Sequence, residues 1–228
     1  MKMRRAGLAA CPDLEGTVVV VDVLRSFTTV AFGFAAGARS VHAAEDPAEA
    51  RALIEEMPGA LTVGAQPGGM PIPGFDLPNS PARVAAARLA SRDIVMSTAG
   101  GMRGLLTSTR ADHLLAASLV CAGATARLLK RLAPERVTFV ITGIWTDRDG
   151  DEDHACADLI EALLAHDEVD PAPFEARVRR SDFGRRFTGA PDSALPAADL
   201  ECCAHANRFD FALRARRDGA RITLLPEH

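Results

Sequence analysis

The sequence predicts an α/β fold, a mainly parallel sheet flanked by helices, on three observations. Val18 to Val21 are four consecutive valines, an apolar run too short for a membrane span and suited to a strand buried on both faces of a parallel sheet. That run stops at Asp22, and a carboxylate at the carboxyl end of a central strand lies where open α/β sheets bind ligands. Downstream, short β-prone runs alternate with helical stretches in a strand-turn-helix rhythm, the pattern of parallel strands joined through helices. The 228 residues are read as one unit, long enough to bury a sizeable core, with room for two α/β halves dividing near residues 107–134.

The elements follow in order. Phe27 to Ala36 reads as a helix of small residues stopped by Gly37. Ser40 to Ala44 is the next strand, and His42 within it is expected to be half-buried. Asp46 is placed as an N-cap, with Pro47 at the first helical position and Glu49 three residues after the cap, opening a helix that runs to Met57. Leu61 to Val63 is a third strand. The connection from Gly64 to Pro81 is dense in Gly and Pro and too long for a turn; we read it as functional, anchored by Phe75 and Leu77. Ser80 and Pro81 read as the N-cap and first position of a helix reaching Leu89. Ile94 to Thr98 is a strand, and the Ala99-Gly-Gly-Met-Arg103 turn after it suits an anion, since glycine lets a ligand approach the backbone. His113 to Ala117 is expected as a strand, Ala122 to Leu132 as a helix ended by Pro134, and Val137 to Thr142 as a β-prone strand. An amphipathic helix starts at Asp151. Asp170 to Pro196 reads as irregular with a short helix, Leu200 to Ala215 as a helix, and Ala220 to Leu225 as a terminal strand after Asp218-Gly219.

Composition excludes several classes of function. Hydrophobic residues make up 48% and charged residues 25%, the balance of an ordinary globular protein, and the net charge of -4 does not favour a nucleic-acid partner. The arginines between Arg177 and Arg186 are expected to be solvated or to line a site. No apolar stretch reaches the length of a membrane-spanning helix, and the basic start, Met1 to Arg5, lacks the apolar region of a signal peptide. Five cysteines, an odd number without C-x-x-C spacing, argue against a zinc knuckle and a disulfide framework. A reducing cytoplasm is the expected home, and the oligomeric state, a homo-oligomer included, is left open.

Two stretches carry chemistry. Asp22 offers a metal or proton site, while Arg25, Ser26, Thr28 and Thr29 offer donors to a phosphate, sulfonate or carboxylate at a helix start. The same residues also suit a plain strand-to-helix turn. Asp151, Glu152 and Asp153 lie in the first turn of a helix, where carboxylates favour the dipole in any case, and they equally suit Mg²⁺, which needs one or two carboxylates besides water and substrate. In the long loop, Asp76, Asn79 and Ser80 supply polar groups.

Four motifs taken together resemble the 2-phosphosulfolactate phosphatases. They are Val18-Val-Val-Val-Asp-Val-Leu-Arg-Ser-Phe-Thr-Thr29, Gly74-Phe-Asp-Leu-Pro-Asn-Ser-Pro81, the Ala-Ala-Ser-Leu-Val-Cys-Ala segment ending at Ala122, and Gly150-Asp-Glu-Asp-His-Ala-Cys-Ala157. The resemblance runs from Gly16 to about Leu225. It implies an α/β fold with the site between two halves of the chain, and a Mg²⁺-dependent hydrolase that removes phosphate from 2-phospho-3-sulfolactate, a step toward coenzyme M in methanogens. Asp22, Arg25, Asp76, Asn79, Ser80, Glu152 and Asp153 match its motif positions. The chain departs where the family has Gly-Glu-Arg and this sequence has Ala65-Gln66-Pro67, where an Asn-Gly-Thr turn is Gly100-Gly101-Met102, and where an Asn is Cys121.

The resulting expectation is a phosphatase acting on a small anionic phosphorylated 2-hydroxy acid. Asp22, Glu152 and Asp153 would do the metal or water-activating work, Arg25 and Ser26 would bind the anion, and Asp76, Asn79 and Ser80 would orient the substrate. Covalent attack by Asp22, as in haloacid-dehalogenase phosphatases, wants a second Asp two residues on, and that position is Leu24. The alternative is a degenerate paralogue that binds such an acid without turning it over, favoured by Gln66 and Pro67.

Overall fold

Strand and helix formation follow burial. In the computed structural model, which describes residues 1–187 and 193–228, the chain runs β1 (Lys2–Gly7), β2 (Gly16–Val21), α1 (Ser26–Ala35), β3 (Ser40–Ala44), α2 (Pro47–Glu56) and β4 (Leu61–Ala65). It continues through β5 (Leu77–Pro78), α3 (Pro81–Ala85), β6 (Asp93–Thr98), α4 (Gly101–Thr107), β7 (Ala111–Ala117), α5 (Ala122–Leu132) and β8 (Arg136–Ile141). The small hairpin β9 (Ile144–Trp145) and β10 (Arg148–Asp149) leads into α6 (Asp151–Ala165) and α7 (Ala172–Arg180), and α8 (Ala197–Cys203), β11 (Ala212–Asp218) and β12 (Arg221–Glu227) close the chain.

Ten strands form one sheet in the order β1-β8-β2-β7-β11-β12-β3-β6-β4-β5. β1, β8, β2 and β7 form one parallel block, and β3, β6, β4 and β5 form another. The antiparallel hairpin β11–β12 joins them, pairing with β7 on one side and β3 on the other, so the two blocks run in opposite senses. The protein is therefore an α/β fold with a mostly parallel sheet. Each block draws on its own stretches of sequence, β1 and β2 lying beside β7 and β8 from beyond residue 107.

The valine run sits at the centre because it is buried on both faces. Val18 and Val20 face a core shared with Val41, Ala43, Ile94 and Met96 of the other block and with α1 and α4. Val19 and Val21 face the opposite way, against α5, α6 and Val178 of α7. The carboxyl ends of strands from both blocks line one cleft, through Asp22 and Thr142 after β2 and β8 and through Ala65 and Thr98 at the ends of β4 and β6. Helix α2 covers the far side of the second block through Ala50 and Leu53. It starts as the sequence predicts: Asp46 Oδ1 accepts from the Ala48 and Glu49 N–H groups at 2.8 and 2.9 Å, while Glu49 Oε2 reaches back to the Glu45 N–H at 2.6 Å.

The fold corrects two expectations. Leu200 to Ala215 is not one helix: α8 ends at Cys203, and β11 begins at Ala212. Leu213 and Ala215 are buried while Arg214 is partly and Arg216 fully exposed, a period of two, and Gly219 at φ +58° turns the strand back as a hairpin. Helix α3 stops at Ala85 rather than Leu89, because the chain must fold back into β6: Arg92 N–H closes a turn on Leu89 O, and Ser91 N–H bonds Gly37 O. Of the stretch expected to be irregular with a short helix, residues 188–192 lie outside those described; the rest holds α7 and a short 3₁₀ turn at Gly184–Arg186. Among the described residues no helix is long and apolar enough to cross a membrane. All five cysteines are free thiols, four of them buried and Cys202 partly so.

Candidate active site

The site forms where the two central parallel strands end beside the start of α6. β2 ends at Val21, just before Asp22, and β8 at Ile141, just before Thr142, and the two strand ends are tied together by one side chain, Asp153. Its Oδ1 accepts the Val23 N–H at 2.8 Å, and its Oδ2 accepts the Thr142 and Gly143 N–H groups at 3.0 and 2.8 Å and the Thr142 hydroxyl at 3.2 Å. Close approach there depends on Gly143, since a Cβ would lie 2.7 Å from Glu152 Oε1 and 3.0 Å from Gly150 Cα. Asp22 is bracketed from two other elements. Oδ1 accepts the Ser26 N–H at the start of α1 at 2.9 Å, and Oδ2 accepts the Gly101 N–H at the start of α4 at 2.8 Å. The Ser26 hydroxyl donates to Thr98 Oγ1 at 3.0 Å, linking the end of β6 to the same spot.

Helix α6 presents Glu152 and Asp153 to this point and is held there by Arg177 of α7, which donates to Asp151 Oδ1 and to Asp158 Oδ2, each at 2.5 Å. Glu152 is 2% exposed, and its Oε2 has no hydrogen-bond partner. Burial pushes its carboxyl up to about 7, the Asp22 charge adds to this, and its own backbone N–H, the Ser181 hydroxyl and Arg148 act against it. Burial, followed by the Glu152 and Asp22 charges, likewise raises the Asp153 carboxyl well above the usual range, against the pull of the Val23 and Gly143 N–H groups.

Of the residues the sequence singles out, Asp22, Arg25, Ser26, Asn79, Glu152 and Asp153 line one cleft. Asp76 and Ser80 lie outside it. Asp76 latches the long loop to β4: its Oδ2 accepts the Thr62 N–H and hydroxyl, both at 2.8 Å, and its own N–H returns to Thr62 Oγ1 at 2.9 Å. Ser80 caps α3 at Arg83 and donates to Asp199 at 2.7 Å. Arg25 is buried, and its guanidinium holds neighbouring segments in place. Nη1 donates to Asp199 Oδ2 at 2.7 Å and to Ala194 O at 2.9 Å, and Nη2 donates to Gly69 O at 3.0 Å.

Two side chains that shape the site are new relative to the sequence reading. Asp199, fully buried, carries the counter-charge of Arg25 and also accepts from Ser80 and the Ala82 N–H. Nothing in its local sequence marks it, since an acid in the first turn of a helix is ordinary. Arg148 on β10 lies over the Phe183 ring at 4.3 Å and the Trp145 ring at 5.3 Å. The alternation of Trp145 and Arg148 in a short loop next to Gly150 is the only sequence cue to it.

Among the described residues, four buried side-chain polar atoms lack a hydrogen-bond partner, and three of them, Asn79 Oδ1, Arg148 Nε and Glu152 Oε2, line this one cleft. Unpartnered buried polar atoms are rare in folded proteins, so their concentration marks a place shaped for a ligand. Among the same residues no three His, Cys, Asp or Glu side chains converge to enclose a metal ion. The unpartnered oxygens of Asn79 and Glu152, in the cleft that Asp22 also lines, nevertheless fit Mg²⁺, a hard cation that completes its shell with water and substrate oxygens.

The chain has recognisable relatives. The family model described as 2-phosphosulpholactate phosphatase matches residues 5–216. A protein of Carboxydothermus hydrogenoformans named "Probable 2-phosphosulfolactate phosphatase" is 34% identical over 221 residues, 92% of this chain and 90% of its own length. Proteins with the same name from Thermosynechococcus vestitus, 37% identical over 83% of this chain and 84% of its own, and from Bacillus subtilis, 28% identical over 88% and 87%, also align over most of this chain.

Proposed function

The chain belongs to the 2-phosphosulpholactate phosphatase family of phosphoric monoester hydrolases, and on that premise we propose that it hydrolyses the phosphate ester of a small sulfo- or carboxy-substituted 2-hydroxy acid with the help of Mg²⁺. The observation that carries this reading is the cleft where buried Asp22 and Asp153 meet the unpartnered oxygens of Glu152 and Asn79 and the unpartnered Nε of Arg148. Phosphoryl transfer is served chiefly by positioning and charge neutralisation, and a cleft of braced, charged side chains suits both.

Mg²⁺, held by Glu152 with Asp22 and Asn79 as further oxygen donors, would neutralise the phosphoryl oxygens and acidify a water. The other roles belong to the chain itself. Asp153 accepts all four of its hydrogen bonds from residues just past the ends of β2 and β8 and keeps the floor of the site rigid. Asp22, with both oxygens on backbone N–H groups, is fixed in place to orient a nucleophilic water. The missing second Asp, Leu24, speaks against Asp22 as the nucleophile. Arg25 contributes positive potential beside the anion while Asp199 holds its geometry. The carboxyl of Glu152, near 7, exchanges its proton in the working range, so cation uptake at neutral pH releases a proton.

A second reading, a protein that binds such an acid without hydrolysing it, is favoured by one observation. Gln66 and Pro67 line the cleft without a charge, and the Gln66 amide is turned to the Pro71 carbonyl at 3.2 Å. Phosphate release from a panel of phosphorylated 2-hydroxy acids, 2-phosphosulfolactate included, with Mg²⁺ and with chelator, separates the two. Metal-dependent turnover supports the phosphatase. Silence across the panel, with a panel compound still raising the melting temperature, establishes the binding protein. A cytoplasmic location fits the five free thiols.

A further inference from the structure

The cleft holds two arginines whose surroundings differ. Arg25 is committed to Asp199 and to two backbone carbonyls. Arg148 has its guanidinium over two aromatic rings, its Nε buried without a hydrogen-bond partner, and, among the described residues, no ion pair. Stacking fixes the plane of a guanidinium and leaves its N–H edge free. Such a planar fork matches a carboxylate, sulfonate or phosphate through two parallel hydrogen bonds.

Position decides which anionic group it meets. Asp22 and Asp153 are buried at the floor of the cleft, 6% and 1% exposed, whereas Arg148 comes from the β9–β10 hairpin, whose Ile144 and Trp145 are 49% and 39% exposed. Arg148 therefore stands to the mouth side of Asp22 and Asp153, with Glu152 the carboxylate within its electrostatic reach. The wall that carries it is braced: Arg186 donates to Asp147 at 2.8 Å and also lies over Phe183, tying the hairpin to the segment after α7. A stacked, unpaired cation on a braced wall is suited to recognising charge at a fixed distance from the floor.

We propose that Arg148, stacked on Phe183 and Trp145, binds the anionic group of the substrate that is not hydrolysed, its carboxylate or sulfonate, and so sets a preference for phosphorylated acids over phosphorylated alcohols. This rests on the phosphatase reading above. It assigns the distal charge to one residue and leaves the phosphoryl group to the floor.

The test compares 2-phosphosulfolactate with isopropyl phosphate, which keeps phosphate on a secondary carbon and has no further anionic group. Arg148→Gln is expected to lower kcat/KM for 2-phosphosulfolactate about tenfold to a hundredfold, mainly through KM, the worth of a charge-assisted hydrogen-bond pair. Isopropyl phosphate should fall far less, by only what Arg148 lends to the ionisation of Glu152, and Arg148→Lys should recover part of the loss. An equal fall for both substrates, which places Arg148 on the phosphoryl group, overturns the proposal, as does no fall for either. If Arg148→Gln does not fold, Arg148→Met, which keeps apolar contact with the rings, is read in the same way. If the wild type releases phosphate from neither compound, the phosphatase reading fails separately, and thermal shift with 2-phosphosulfolactate decides on Arg148. A rise in melting temperature that Arg148→Gln abolishes supports the assignment; an equal rise in both proteins, or none in either, refutes it.

Discussion

Glu152 costs the fold stability whenever it is ionised, and Glu152→Gln should reveal how much. Its carboxyl lies near 7 in the folded chain against an ordinary value of 4.5, with burial as the main cause. For an acid whose folded value is raised, the folded state binds more protons than the unfolded one between the two values. Stability is therefore full below about 4.5 and falls as pH rises through about 7. A displacement of about 2.5 units corresponds to roughly 3 kcal/mol once both states are ionised. Glutamine cannot ionise and has nearly the shape of the protonated acid. In urea unfolding with chelator present, the variant should exceed the wild type by less than about 1 kcal/mol at pH 5 and by about 3 kcal/mol at pH 8.5. The same variant should lose phosphate release. Stability curves of wild type and variant that run parallel from pH 5 to 8.5 would show that Glu152 does not carry a raised carboxyl, and the argument for its role would fall with them.

Four further outcomes follow from the geometry. Asp199→Asn leaves the buried Arg25 charge without its partner and should cost about 3–5 kcal/mol in urea unfolding, with phosphate release lost at temperatures where the wild type is active. Asp76→Ala removes the latch to Thr62, which should lower stability by about 1–3 kcal/mol while kcat of the folded fraction changes little, since the side chain lies outside the cleft. Gly143→Ala places a methyl 2.7 Å from Glu152 Oε1 and against Gly150, which should cost about 1–3 kcal/mol and depress kcat well beyond any change in KM. Arg177→Met frees the start of α6 from α7; steady-state kinetics should show lowered kcat, and thermal unfolding a modest fall in midpoint, because the two ion pairs are half-exposed.

The parts of this fold that were readable in advance are those whose signal is local. Val18 to Val21 declare a doubly buried strand by composition alone, Asp46-Pro47 and Ser80-Pro81 declare helix starts, and Ala122 to Leu132 is bounded by its own chemistry. The stretch after Cys203 misleads because Ala, Leu and Arg are good helix formers, while the reason they form a strand is distant. Leu213 pairs with Ala116 of β7, and Thr223 with His42 of β3, so the hairpin exists to join two parallel blocks that no local pattern reveals. The site divides in the same way. Asp22 and the acids at 152 and 153 stand out because carboxylates at a strand end and a helix start are visible in one dimension. Asp76 and Ser80 share a motif with Asn79, yet the loop turns only Asn79 into the cleft. Asp199 and Arg148 matter through partners 174 residues away in one case and through ring stacking in the other, and neither leaves a pattern in its neighbours.

Adjacent Glu152 and Asp153 show how the chain separates two tasks between residues of nearly the same chemistry. Both are buried at the same helix start, so desolvation raises both carboxyls. Asp153, one methylene shorter, meets three backbone N–H groups and a hydroxyl, fixed donors that offset part of the cost of its burial and leave it no free acceptor for a ligand. Glu152 reaches further into the cleft and keeps an oxygen without a partner. A carboxylate saturated with hydrogen bonds is a good bracket and a poor reagent, while an unsaturated one destabilises the empty fold and gains most when a cation or proton arrives. Exchanging the two, as Glu152→Asp with Asp153→Glu, should therefore fail in both respects. The shorter acid at 152 would no longer reach the cleft, and the longer one at 153 would crowd the ends of β2 and β8. Unfolding at pH 5, where the burden of charge is smallest, isolates the second effect, and a swapped variant as stable as wild type there would refute the division of labour.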